Sequence, residues 1–149
     1  MVVPPQQLSI DILKYTKYII LIGVLLYMIG MFLPYYTISL FGTTASKSLA
    51  DYNGPLILID VALALLVVLF IFKKPSKSNY IGVLIFGLII LGTWIYNSCL
   101  NINNVATDSS YSSLIQKGSG SYMHIIGAII ILLGASIALT SLNKKPIDN

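Results

Sequence analysis

Four long apolar runs constrain the fold of this chain more than any other feature of its sequence. Each is apolar around its whole circumference, and they cover residues 17–36, 55–72, 80–100 and 122–142. A helix needs about 20 apolar residues to cross a hydrocarbon core roughly 30 Å thick. Lipid admits only helices or closed barrels, and the runs lack the alternating polar pattern of barrel strands. The sequence therefore predicts an all-α membrane protein, a four-transmembrane-helix bundle in one domain spanning residues 1–149.

The alternative is a soluble protein in which these runs are buried core helices. Only 9% of the residues are charged, whereas a soluble domain carries about 25%. The segments between the runs are short, so they could not cover four helices that are apolar on every side. A lipid-facing surface explains both observations.

The lysines predict how the helices are oriented, because cytoplasmic loops of membrane proteins are enriched in basic residues. Seven of the nine lysines lie at the two termini or between the second and third runs, and only Lys47 and Lys117 lie elsewhere. We therefore expect both termini in the cytoplasm. Residues 37–54 and 101–121 become extracellular loops. The first run lacks a signal-peptide cleavage site, so we expect it to remain as an anchor.

The connections are expected to add small elements to the bundle. The first extracellular loop contains TISLFG and then TTASKSL, and this β-branched content with Gly42 at a turn allows a β-hairpin in an extracellular cap. The second loop is expected to hold a short helix over residues 111–116, ended by Gly118. On the cytoplasmic side, Ser9 can cap a short interfacial helix that runs to Tyr18.

Glycine spacing predicts which helices pack closely. Gly23 and Gly30 lie seven residues apart in the first run, and Gly127 and Gly134 lie seven apart in the fourth. This spacing keeps both glycines of a pair on one helix face, and small residues let helices approach closely in lipid. We predict close contact between the first and fourth spans. The alternative is that glycine is simply common in membrane helices.

A few polar residues lie in the outer half of the predicted bundle. Asp60 is the one acidic residue within a run, roughly 7 Å below its outer end. Intramembrane ionisable groups are costly and usually face a partner or water. We hypothesise a polar cluster in which Asp60 accepts hydrogen bonds from His124, Asn97 or a tyrosine hydroxyl; Tyr96 lies beside Asn97, and Tyr27 and Thr93 lie deeper. The alternatives are that Asp60 reaches headgroup water unaided, or that it serves transport.

The residue inventory argues against several kinds of chemistry. The chain has no Arg and no Glu, and fork-shaped recognition of phosphate usually uses Arg. Cys99 is the only cysteine and His124 the only histidine, so we expect no metal site, no cofactor and no catalytic residues. The net charge of +4 is accounted for by lysines flanking the runs, and we expect no nucleic acid partner. Cys99 could be a reactive thiol, although a lone Cys is more often an apolar filler.

The exit from the first run carries a family resemblance. The stretch GMFLPYYTISLFG resembles the G-x-F-L-P-aromatic motif of small bacterial four-span membrane proteins that have no assigned activity. Their later G-x-G-x-aromatic step corresponds to residues 118–122, while their D-G pair is interrupted here by two residues between Asp51 and Gly54. The layout also resembles claudin-like tetraspans, without their paired cysteines. These resemblances imply four spans in a plasma membrane, and the residue usage resembles that of low-GC Gram-positive bacteria.

Three classes of function are compatible with the sequence, in order of preference. The first is a non-catalytic membrane protein that binds another membrane protein or itself, such as an accessory subunit of a transport or secretion complex or an immunity-type protein. The alternative is a small oligomeric channel or transporter that uses the Asp60 region. A membrane enzyme is the third choice, because no nucleophile accompanies Asp60 and His124 at a suitable spacing. The bilayer itself is the one partner that all three share.

Overall fold

A computed structural model of the chain describes residues 5–40, 43–52, 54–105 and 115–143. Most of these residues are helical, and three short strands form one sheet. In chain order the elements are α1 (Pro5–Phe32), β1 (Pro34–Leu40), β2 (Thr43–Ser48), α2 (Leu49–Tyr52), α3 (Gly54–Phe72), α4 (Lys77–Val105), β3 (Ile115–Lys117) and α5 (Ser119–Asn143).

Three helices are long and apolar enough to cross a membrane by length and composition. The apolar stretches are Ile12–Phe32 in α1, Lys77–Tyr96 in α4 and Ser119–Asn143 in α5, with 21, 20 and 25 residues. A shorter apolar stretch, Ile57–Phe72, lies in α3. All four helices turn large aliphatic side chains outward; Leu25, Leu58 and Leu133 are each more than half exposed. Such an apolar outer surface is stable in contact with lipid.

Helices α1 and α5 make the closest contact in the bundle, and all four glycines singled out by their spacing lie at it. A Cβ at Gly127 would stand 2.5 Å from the backbone nitrogen of Tyr27, and one at Gly23 would stand 2.9 Å from the carbonyl oxygen of Gly127. Gly30 faces the backbone of His124, and Gly134 faces the Ile20 side chain. Two backbones can approach this closely only where no side chain intervenes.

The observed α1 differs from the predicted first span at both ends. It begins at Pro5 and is continuous, so the separate interfacial helix ending at Tyr18 is wrong. It ends at Phe32 rather than at Tyr36. Pro34 restricts the residue before it to extended conformations and cannot donate a helical hydrogen bond. The residues that follow are aromatic and β-branched, and they form β1 instead.

The predicted β-hairpin is present. Strand β1 pairs with β2 in antiparallel register from Pro34 opposite Ser48 to Leu40 opposite Thr43. The strand order is β2-β1-β3, so β1 lies in the centre and β2 forms one edge. The two connecting residues at positions 41 and 42, Gly42 among them, lie outside the described residues.

The second predicted loop is shorter than expected, and its predicted helix is wrong where the structure describes it. Helix α4 continues to Val105. Residues 115–117 form β3, which pairs with β1 by placing Lys117 opposite Tyr36, and residues 111–114 lie outside the described part of the chain. Pairing with a distant strand outweighs local helix propensity here. Gly118 therefore precedes α5 rather than ending a helix.

Candidate functional site

Buried polar side chains gather where the helices meet the sheet. They come from the four long helices and from strand β1: Tyr27 on α1, Tyr35 on β1, Asp60 on α3, Thr93 and Ser98 on α4, and Ser121 and His124 on α5. We call these seven residues the polar cluster. All except Thr93, which is half-buried, are buried. Buried polar groups need hydrogen-bond partners, so the pairing of each one decides what the cluster can do.

Thr93 supplies the direct partner of Asp60. Its hydroxyl oxygen lies 3.2 Å from Oδ1 of Asp60 and 2.8 Å from the carbonyl oxygen of Ile90. A hydroxyl has one hydrogen and two lone pairs, so Thr93 cannot donate fully to both acceptors. Both contacts are satisfied at once if Asp60 is protonated and donates to Thr93, which then donates to Ile90.

Tyr27 links Asp60 to His124. The Tyr27 and His124 rings are 4.1 Å apart between centroids, at 61°. The Tyr27 hydroxyl lies near enough to the Asp60 carboxylate to interact with it, although it lies outside strict hydrogen-bond geometry. The Tyr35 ring also lies near His124, with ring centroids 6.0 Å apart. The order Thr93, Asp60, Tyr27, His124 therefore runs across four helices.

Several atoms of the polar cluster are buried without a hydrogen-bond partner among the described residues. They are the hydroxyls of Tyr27, Tyr35 and Ser98, Oδ2 of Asp60, and both ring nitrogens of His124. Leaving such an atom unpaired costs about 1–3 kcal/mol. These six atoms are thus the donors and acceptors of the polar cluster that the described residues leave unpaired.

Trp94 ties the polar cluster to the sheet. Its indole nitrogen donates to the Ser121 carbonyl oxygen at 3.1 Å and lies 3.2 Å from the Ser121 hydroxyl. The ammonium group of Lys117 lies 5.0 Å from the centre of its ring, a favourable cation–π arrangement. Helix α4, strand β3 and helix α5 are therefore held together by one side chain. Trp94 is half-buried, and an indole N–H in such a position usually finds a hydrogen-bond acceptor.

The structure brings together only part of the predicted polar site. Asp60 and His124 belong to the polar cluster, but the hydrogen-bond partner of Asp60 is Thr93 rather than His124. Tyr96 is 58% exposed and lies outside it, because six residues from the buried Ile90 carry it about 120° around the helix. The side chain of Asn97 lies outside the described residues.

The sheet is fixed to the top of the α1–α5 pair by backbone contacts. The Gly118 amide donates to the Tyr35 carbonyl oxygen at 2.9 Å, and a Cβ at Gly118 would collide with the carbonyl of Pro34. Tyr35 on β1 and Leu49 at the start of α2 are fully buried. Strand β2, by contrast, is exposed from Thr43 to Lys47.

A capping box joins β2 to α2. Asp51 Oδ2 accepts hydrogen bonds from the Ser48 hydroxyl at 2.7 Å and the Ser48 amide at 3.1 Å, while the Asp51 amide donates to the Ser48 hydroxyl. These bonds satisfy amides that helix formation leaves unpaired. The Ser48 hydroxyl, together with the Ser48 amide, holds the pKa of Asp51 below its ordinary value of 3.8.

The fold and the outward apolar surface define the class of this protein: a membrane-embedded, mostly helical protein with a small three-stranded sheet. No protein-family model matches the chain, and no curated protein matches it significantly. Within the described ranges, no three His, Cys, Asp or Glu side chains gather closely enough to share a metal ion.

Proposed function

We propose that the chain crosses the plasma membrane four times, with both termini in the cytoplasm and the sheet outside. Helix α3 has 19 residues, which at 1.5 Å per residue gives about 28 Å, close to the thickness of a hydrocarbon core. The lysine distribution supports the orientation. With four spans, the hairpin and β3 lie on one side, where they form the proposed extracellular cap. The host membrane would be that of a low-GC Gram-positive bacterium.

We further propose that the protein is a non-catalytic binding protein, such as an accessory subunit of a transport or secretion complex or an immunity-type protein. The observation that carries this proposal is the exposed β2 strand at the edge of an anchored sheet. An edge strand offers backbone donors and acceptors to an added strand. Its partner would be another membrane protein or a second copy of this chain.

Anchoring makes β2 better suited to binding than a free hairpin. An isolated hairpin is marginally stable in water, whereas here the central strand β1 continues from α1 and is held by β3. A partner strand would thus dock onto an edge that is already ordered. Little of the binding free energy would be lost in ordering β2. The Lys47 side chain is exposed on that edge, which discourages unspecific pairing with neighbours.

Site-specific photo-crosslinking in native membranes tests the binding proposal. A photoreactive residue replaces Ser46 on β2, and the matched control replaces Ser78 on α4; both serines are exposed. We expect a defined adduct from position 46 and none of the same mass from position 78. A mass that is a multiple of the chain identifies self-association. An adduct from position 78 alone, or no adduct from position 46, refutes the proposal.

Cysteine accessibility tests the topology separately. In a Cys99→Ser background, Ser46→Cys and Ser78→Cys are treated on intact cells with a membrane-impermeant thiol reagent. Labelling at position 46 and protection at position 78 until lysis support the proposed orientation. The reverse pattern, or labelling of both positions on intact cells, refutes it.

A small channel or transporter is the second candidate, and the unpaired atoms of Asp60 and His124 favour it. Buried ionisable groups in a membrane commonly mark an ion or proton path. The test is proton flux into liposomes that contain the purified protein, comparing Asp60→Asn with Asp51→Asn, which removes the same charge from an exposed position. Flux lost only in Asp60→Asn supports this candidate. Equal flux in both variants and in protein-free liposomes rejects it.

A further inference from the structure

A groove at the lysine-rich end of the bundle combines positive charge with apolar walls. It lies between α1 and α3, has a volume of about 280 Å³, and is lined by Lys14, Lys17, Tyr18, Leu21, Ile71 and Phe72. The four α1 residues follow the spacing of a single helix face. The groove lies at the opposite end of α1 from the sheet and the polar cluster, so neither of them accounts for it.

The two lysines of this groove have no ion-pair partner among the side chains that the structure describes. Lys14 is exposed and Lys17 is half-buried. The next lysines, Lys73 and Lys74, follow the end of α3 at the same end of the bundle, and the Lys73 ammonium lies 5.1 Å from the centre of the Phe70 ring. The groove thus carries positive charge that the described residues leave uncompensated.

The remaining lining residues form a surface suited to hydrocarbon. Ile71 is buried at the base, and Leu21 is partly buried beside it. Phe72 and Tyr18 are 69% and 54% exposed at the rim. A tyrosine at a helix end commonly marks the level of lipid headgroups. Cationic groups and apolar walls thus follow one another along the helix, as headgroup and acyl chain do along a phospholipid.

We propose that this groove binds an anionic phospholipid. Lys14 and Lys17 pair with its phosphate-containing headgroup, and Tyr18, Leu21, Ile71 and Phe72 contact the upper part of an acyl chain. Lysine suits this task because its ammonium group acts as a point charge that needs no fork geometry. The volume of about 280 Å³ has room for roughly nine water-sized groups, enough for a headgroup and the first methylenes, while the rest of the lipid stays in the bilayer.

An anionic phospholipid can pair with the two lysines and also contact the apolar walls of the groove. A free anion can pair only with the lysines. Basic pockets between membrane helices are a recurrent setting for anionic headgroups. Each lysine near an anionic lipid surface strengthens binding by about fivefold. Together Lys14 and Lys17 therefore give a preference of about 25-fold for an anionic over a zwitterionic lipid with the same acyl chains.

Native mass spectrometry of the full chain in mild detergent measures this preference. The protein is titrated with phosphatidylglycerol and, separately, with phosphatidylcholine of identical acyl chains. The test variant is Lys14→Gln with Lys17→Gln, and the matched control is Lys73→Gln with Lys74→Gln, which removes the same charge at the same end of the bundle. We expect the preference of about 25-fold to disappear in the first variant and to persist in the control.

A third variant, Leu21→Trp, fills the apolar part of the groove without changing any charge. We expect weaker phosphatidylglycerol binding, and millimolar inorganic phosphate should not compete with the lipid. Each variant is compared at equal helix content by circular dichroism. Equal losses in both lysine pairs would mean general surface attraction and would overturn the proposal, as would full competition by inorganic phosphate or binding unchanged by Leu21→Trp. Crosslinking through β2 is measured at the other end of the molecule, so either proposal can fail alone.

Discussion

Substituting Gly127 by alanine tests the account of the α1–α5 contact most directly. The new Cβ would stand 2.5 Å from the Tyr27 nitrogen and 2.6 Å from the Gly23 carbonyl oxygen, whereas ordinary contacts begin at 3.4 Å. Both neighbours are backbone atoms, so no side-chain rotation relieves the collision. The two helices would have to separate locally by about 0.9 Å, the difference between 3.4 and 2.5 Å.

The cost of that separation can be estimated from packing. A radial gap of 0.5–1 Å forfeits a quarter to a half of a dispersion contact, and overpacking a close interface costs about 1–3 kcal/mol. Alanine gains up to about 1 kcal/mol over glycine in helix propensity. We therefore expect Gly127→Ala to lower the free energy of unfolding by about 1 kcal/mol, the overpacking cost less the gain in helix propensity.

The matched control is Gly92→Ala on α4, where a Cβ meets nothing within 4 Å. It shares the propensity gain and lacks the collision. Gly134→Ala should lie between them, because its nearest contact, 2.6 Å to Ile20, is with a side chain that can rotate. The assay is thermal or SDS-driven unfolding in one mild detergent. If Gly127→Ala and Gly92→Ala unfold alike, the close approach of α1 and α5 does not contribute to stability as described.

Two further changes probe the upper part of the molecule. Trp94→Phe removes the hydrogen bonds to Ser121 and should lower stability by about 1–2 kcal/mol in the same unfolding assay; no change would mean that this side chain does not hold α4 to α5. Ser48→Ala removes the main donor to Asp51, so the carboxyl pKa should rise toward 3.8 in a carbon-13 NMR titration. Because the Asp51 pKa is lowered in the folded protein, the contribution of this carboxylate to stability is present above pH 3.8 and is lost as pH falls through the lower folded value. An unchanged Asp51 pKa in Ser48→Ala would contradict the capping geometry.

The helices and the glycine contact could be predicted because both depend on local spacing. Apolar runs longer than a bilayer is thick leave few alternatives to helix. The contact between Gly23 and Gly127 could be predicted from their positions in two antiparallel helices alone. The hairpin likewise followed from adjacent segments with strand-forming residues.

The rest depended on contacts between distant segments, which single-sequence patterns do not encode. Strand β3 exists because Lys117 and Ile115 pair with β1 far upstream. The partner of Asp60 is Thr93, 33 residues away, and which side chain would meet the carboxylate depended on the rotation of α4. The prediction that Tyr96 belongs to the polar cluster was wrong for the same reason. On α4 it lies about 120° around the helix from the buried face.

The direct continuity of α1 with β1, through Leu33 alone, and of β3 with α5, through Gly118 alone, has a mechanical consequence. Neither junction contains a flexible tether, so a twist applied to the sheet becomes a change in the crossing angle of the two most closely packed helices. His124 lies at that crossing, against Gly30 and Tyr27. A load on the outer strands would therefore alter the surroundings of the buried imidazole before it reached the lysine-bearing end.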